Sequence, residues 1–174
     1  MTLTEQGGNV VASGSGTLDL TGLSPTLPGE NTSQAGINPA AGLINTGPTT
    51  ATPVDLYTGT TGPTSFGGGS FTPASSGSGD PVNIQGSNDI LVVPAGYSSG
   101  SPLSDTSTYD SATFASLGVT PGTYVWTWEA PAAAADDTFT LDISTAAVPE
   151  PASLTLLGAG LTGLAFLRRR RKAL

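Results

Sequence analysis

TYVWTWE, residues 123–129, decides how this chain folds. Tyr124, Trp126 and Trp128 fall on one face of an extended backbone, and Thr123, Val125, Thr127 and Glu129 fall on the other. TFTLDIS, residues 138–144, repeats the pattern with Phe139, Leu141 and Ile143 against Thr138, Thr140, Asp142 and Ser144. The connection between them, APAAAADD, has a length suited to a hairpin. Antiparallel pairing would set three aromatic rings beside three large apolar side chains, the raw material of a β-sandwich core. Read this way, Tyr124, Trp126 and Trp128 are a core stripe rather than a platform for sugar rings.

Composition supports strands over helices. The 174 residues include 24 Gly and 14 Pro, and charged residues make up only 10%, against roughly 25% in typical soluble domains. Gly raises the entropic cost of a helix and Pro breaks it, so short strands joined by turns are expected. All five basic residues stand in Arg168–Lys172, and residues 1–167 hold all 13 acidic ones. A surface of that sign repels phosphate, so no nucleic-acid partner is expected. The chain has no Cys and no His. That excludes disulfides, thiol nucleophiles, imidazole bases and the usual zinc ligand sets. No carboxylate pair is marked by its surroundings for glycoside chemistry, so neither an enzyme nor a cofactor is expected.

Along the chain, residues 8–20 read as two short strands around a Gly-Ser turn, and residues 21–53 as loops with at most short strands. Val54–Thr58 alternates as a strand. Residues 58–79 read either as a flexible loop or as two strands around Gly67–Gly69. Val82–Gln85 and Ile90–Val93 flank the turn tetrad GSND and predict a hairpin. Residues 94–111 read as loop, and Ala112–Leu117 as a short strand or a helical turn. Met1 is followed by TLTEQGGNVVASGSG, with neither a basic n-region nor an apolar h-region, so an export leader is expected upstream of Met1.

The last 27 residues, VPEPASLTLLGAGLTGLAFLRRRRKAL, differ from everything before them. Ala152 to Leu167 is uncharged and carries Leu154, Leu156, Leu157, Leu161, Leu164, Phe166 and Leu167. As a helix it would span roughly 24 Å, enough to cross a bilayer if the lipid thins and the arginines snorkel. Pro149 and Pro151 stand where such a helix would begin. Arg168, Arg169, Arg170, Arg171 and Lys172 would hold its far end on the cytoplasmic side. Gly158–Gly163 matches G-x-G-x-x-G literally, but a Pro-Glu-Pro precedes it and no second strand can follow, so no dinucleotide site is expected. The fold class is therefore mainly β: a Gly/Ser/Thr-rich, sandwich-like domain with long loops at 1–147, then one C-terminal transmembrane helix within 148–174.

Pro149-Glu150-Pro151, an apolar Gly-rich span and a terminal arginine cluster, in that order, resemble the PEP-CTERM sorting signal of Gram-negative bacteria. The closing hairpin is also similar, more loosely, to that of many short proteins bearing this signal. The resemblance implies export, transient anchoring in the inner membrane, processing by an exosortase, and delivery to the cell surface or an exopolysaccharide-rich matrix. Pro149, Glu150 and Pro151 would be the recognition element, Ala152–Leu167 the anchor, and Arg168–Arg171 the retention cluster.

For residues 1–147 the first expectation is a structural surface or biofilm-matrix protein. The alternative is a module binding Ca²⁺ or polysaccharide. Asp80, Asp89, Asp136 and Asp137, with Asn83 and Asn88, offer hard oxygen ligands, but no EF-hand or RTX spacing is present, and a solvated loop accounts for them more simply. The Thr pairs at 58/60, 106/108 and 138/140 are too scattered for an ice-binding array. Asn31-Thr32-Ser33 forms a glycosylation sequon, which in a bacterial chain reads as chance.

Overall fold

Gly7 and Gly8, at φ 58° and 87°, let the chain reverse where a side chain would be strained. They join β1 (Thr2–Gln6) to β2 (Asn9–Gly16). The computed structural model describes residues 1–26, 31–129 and 137–145. Short strands follow: β3 (Ser24–Pro25), β4 (Asn31–Ser33), β5 (Gly36–Asn38) and β6 (Leu43–Thr46). Then come β7 (Thr52–Thr58), β8 (Thr72–Pro73), β9 (Ser76–Gly79), β10 (Val82–Gln85) and β11 (Ile90–Pro94). After β12 (Leu103–Tyr109), a single helical turn, α1 (Phe114–Leu117), leads to β13 (Gly122–Trp128) and β14 (Asp137–Thr145). Thr113 caps α1, its hydroxyl accepting from the Ser116 N–H while the Ser116 hydroxyl accepts from the Thr113 N–H.

The strands form two sheets. One runs β13-β14-β1-β2-β12-β9; the other runs β3-β7-β11-β10-β6-β5-β8, with β4 also paired to β7. Every pairing is antiparallel except β1 with β14, where Leu3 lies opposite Ile143. The expected antiparallel β13–β14 hairpin forms, with Trp126 opposite Phe139 and Tyr124 opposite Leu141. One apolar core joins the two sheets. Leu3, Val10, Trp126 and Leu141 enter it from the first sheet, and Ile44, Ile84, Leu91 and Val93 from the second. Each such side chain contributes roughly 1.5–3 kcal/mol by leaving water.

Several sequence expectations are corrected. Residues 94–111 are not all loop, because β12 occupies Leu103–Tyr109 between β2 and β9. Leu103, Asp105, Ser107 and Tyr109 all point inward. Two polar residues in that row broke the apolar alternation that would have marked the strand. The Gly-Ser stretch near Gly14 is not a turn either; it runs inside β2, and the reversal lies at Gly7-Gly8. Gly14 is needed in place because a Cβ there would stand 2.5 Å from Asp105 Oδ1. Gly67–Gly69 do not centre a hairpin: Gly68 and Gly69 donate to the Gly118 carbonyl at 2.9 and 3.2 Å, tying that loop to the end of α1. The Val82–Gln85 and Ile90–Val93 hairpin is present, its turn passing through Asp89 at φ 57°. Ala112–Leu117 resolves as a helical turn.

Among the described residues no helix is long and apolar enough to cross a membrane. The span expected at 152–167 lies outside them.

Candidate functional site

Pro149, Glu150, Pro151, the apolar residues from Leu154 to Leu167 and the basic cluster Arg168–Lys172 all lie outside the described residues. The described chain reaches Thr145 at the end of β14, four residues before Pro149. Asp136 also lies outside them.

The other three carboxylates proposed for Ca²⁺ are not brought together. Asp80 Oδ2 accepts the Ser104 N–H at 2.8 Å where the chain passes from β9 to β10. Asp89 sits in the β10–β11 turn, its carbonyl accepting from the N–H groups of Gly59 and Thr60. Asp137 opens β14, and its carboxylate accepts from the backbone N–H groups of Asp19 and Thr138. Among the described residues no three His, Cys, Asp or Glu side chains group as a metal would require.

The aromatic stripe belongs to the core. Trp126 and Trp128 are buried, and their indole N–H groups donate to the carbonyls of Pro63 and Asp19 at 2.9 and 2.8 Å. Tyr124 is half-buried against Phe66, its hydroxyl donating to the Thr120 carbonyl at 3.0 Å. Neither tryptophan offers a ring face for stacking on a sugar.

The outer face of the second sheet holds a feature that the sequence did not reveal. Val82 and Ile84 of β10 enter the core, so the alternate residues Asn83 and Gln85 turn outward. Register then builds a row across four strands: Asn45 of β6, Asn83 of β10, Val92 of β11 and Leu56 of β7. Gln85 and Ile90 lie opposite each other in the next row. These side chains, with Gln34 and Asn31 at one margin, line a depression of about 240 Å³. The Asn45 amide donates to the Gln34 carbonyl at 3.1 Å. Asn83 is 7% exposed, and its Oδ1 is buried without a hydrogen-bond partner, as is Asn45 Oδ1. No charged side chain is among the described residues that line the depression.

A second buried polar group stands at the other face of the core. Asp105 is 4% exposed, and its Oδ1 has no hydrogen-bond partner. Burial pushes its carboxyl above the ordinary range and Asp80 adds to this, while Thr46 works the other way. A carboxyl raised in the folded state stabilises the fold most when both states hold the proton. That contribution is lost as pH rises through the raised folded value. Asp105→Asn is therefore expected to melt above the parent at pH 7, with the gap closing toward about pH 4. Thermal melts across that range check it, and equal pH slopes for parent and variant would refute it.

Residues 147–171 match the PEP-CTERM protein-sorting motif. No curated protein and no solved structure matches the chain.

Proposed function

We propose, from the sorting motif that residues 147–171 carry, that the protein is an exosortase substrate exported to the cell surface. On this reading the precursor is held in the inner membrane by Ala152–Leu167, with Arg168–Lys172 on the cytoplasmic side. Processing then delivers the β-rich part to the exterior, where it serves as a structural component of the surface or of an exopolysaccharide matrix. The motif match carries the reading, since it joins the tripeptide, the apolar span and the cation cluster in one contiguous segment. The composition agrees with it. A domain with no cation before residue 168 and no thiol is suited to solvent outside the cell.

Expression with the native leader, in hosts with and without an exosortase, tests this reading. The expected result is an inner-membrane precursor in the host lacking the enzyme and a shorter surface or secreted form in the other. A freely soluble cytosolic protein in both hosts would overturn it.

A further inference from the structure

We propose that the amide-lined depression on the second sheet binds a neutral, hydroxyl-rich ligand, namely one residue at a time of an uncharged polysaccharide. Asn83 carries the inference. Its amide is more than nine-tenths buried, lines the depression, and keeps an acceptor oxygen that no protein group satisfies. Buried polar atoms are nearly always paired, so an orphan facing a concavity marks where an outside donor belongs. Asn45 Oδ1 repeats the feature one strand away in the same row.

The chemistry of the lining selects the class. Amide side chains carry both donors and an acceptor; Asn45 spends one N–H on the Gln34 carbonyl, while its Oδ1 and that of Asn83 stay unpartnered. A sugar hydroxyl likewise donates and accepts, so amide and diol satisfy each other in pairs. Leu56, Ile90 and Val92 supply apolar surface for the C–H face of a ring. A phosphate, sulfate or uronate would want cations, and residues 1–167 contain none. The depression, about 240 Å³, is smaller than the roughly 300–1,000 Å³ of sites for drug-sized ligands, which fits a single ring of a longer chain.

An extended peptide fits less well. Strand addition needs an open sheet edge. The depression is instead on the face of β6, β10, β11 and β7, each of which has neighbours on both sides. The site stands on the described residues alone and does not require the sorting reading. Failure of export would leave it intact, and failure of binding would leave the sorting reading intact.

Calorimetric titration of the full chain, held in a zwitterionic detergent without a sugar headgroup, tests it. The probes are cellohexaose, maltohexaose and laminarihexaose, with trigalacturonate and an uncharged eight-residue peptide as comparisons. At least one neutral hexasaccharide is expected to bind, with Kd on the order of 1 mM or tighter. Asn83→Leu, with the same branched heavy-atom shape and no amide, is expected to weaken that binding at least about tenfold while melting no lower than the parent. Gln85→Ala, at a half-buried position, gives a second reading should Asn83→Leu fold poorly, and is expected to weaken binding in the same direction. Three results would each overturn the proposal: no neutral saccharide bound by about 10 mM, unchanged affinity in a folded variant, or tighter binding of the galacturonate or the peptide.

Discussion

Replacing Glu150 with Ala is expected to leave the chain as an unprocessed, membrane-held precursor. Pro149 and Pro151 flank the residue, so neither neighbour has an N–H to donate to a helix. The proline after Glu150 also disfavours helical backbone at Glu150 itself. On the proposed sorting reading, the one charged side chain of the recognised tripeptide is Glu150. An enzyme that recognises it would pair the carboxylate with a cation or a set of N–H donors. Truncating one partner of such a buried pair costs roughly 2–5 kcal/mol. At 1.36 kcal/mol per decade, that slows processing by between about 30-fold and several thousandfold. Glu150→Gln separates charge from shape: it keeps the length and one acceptor, and is expected to lose most of the rate as well. Immunoblots of membrane fractions from an exosortase-bearing host report the ratio of precursor to product. A normal ratio in Glu150→Ala would remove the recognition role while leaving the anchor untouched.

Trp126→Ala is expected to lower stability by roughly 3–5 kcal/mol, a large share of the roughly 5–15 kcal/mol available to a domain. Trp126 is fully buried. Its indole meets Phe139 edge-on, with centroids 6.0 Å apart and planes at 69°, and its N–H is taken up by the Pro63 carbonyl. The backbone has been cleared to admit it. A Cβ on Gly62 would lie 2.5 Å from the ring, and one on Gly86 would lie 2.6 Å from the indole nitrogen. The segment that supplies Pro63 is itself strapped to β13, where Thr61 and Thr127 exchange backbone hydrogen bonds of 2.7 and 2.9 Å. That strap pairs one residue of β13, an edge strand of its sheet. Removing the ring would leave a cavity, an orphaned carbonyl and two glycines with nothing between them. In thermal unfolding of the full chain, the midpoint is expected to fall on the order of 10–20 °C. Val125→Ala on the same strand, at a site 42% exposed, is expected to change stability by no more than about 0.5 kcal/mol. Equal midpoints for the two variants would mean that Trp126 does not anchor the core.

The parts of this fold that sequence reveals are those where large side chains alternate without interruption. β13 and β14 read clearly because Trp126, Trp128, Phe139, Leu141 and Ile143 leave no other face to bury. β10 and β11 read clearly because GSND marks the turn between them. β12 does not, since Asp105 and Ser107 take inward positions that apolar residues would ordinarily hold. β2 is not legible as one strand, because Gly14 looks like a turn and is in fact spacing for a carboxylate on the next strand of the sheet. The parallel pairing of β1 with β14 has no local signature at all, because its partners are separated by 140 residues in the chain, Thr2 with Asp142. The sorting segment was legible for the opposite reason: its parts are contiguous and need no fold to be recognised. The amide-lined depression was not, because Asn45 on β6, Leu56 on β7 and Val92 on β11 come from stretches distant from Asn83 and Gln85 on β10, and only register sets them side by side.

The last described strand is an interior one. β14 is held by β13 on one side and by β1 on the other. Tension applied at the end of β14 would pull it along its own axis. Ladder bonds lie across that axis in the antiparallel pair with β13 and slant in the parallel pair with β1, so both ladders would share the load instead of one unzipping rung by rung. Such a load would therefore meet two seams at once, one to each neighbour of β14.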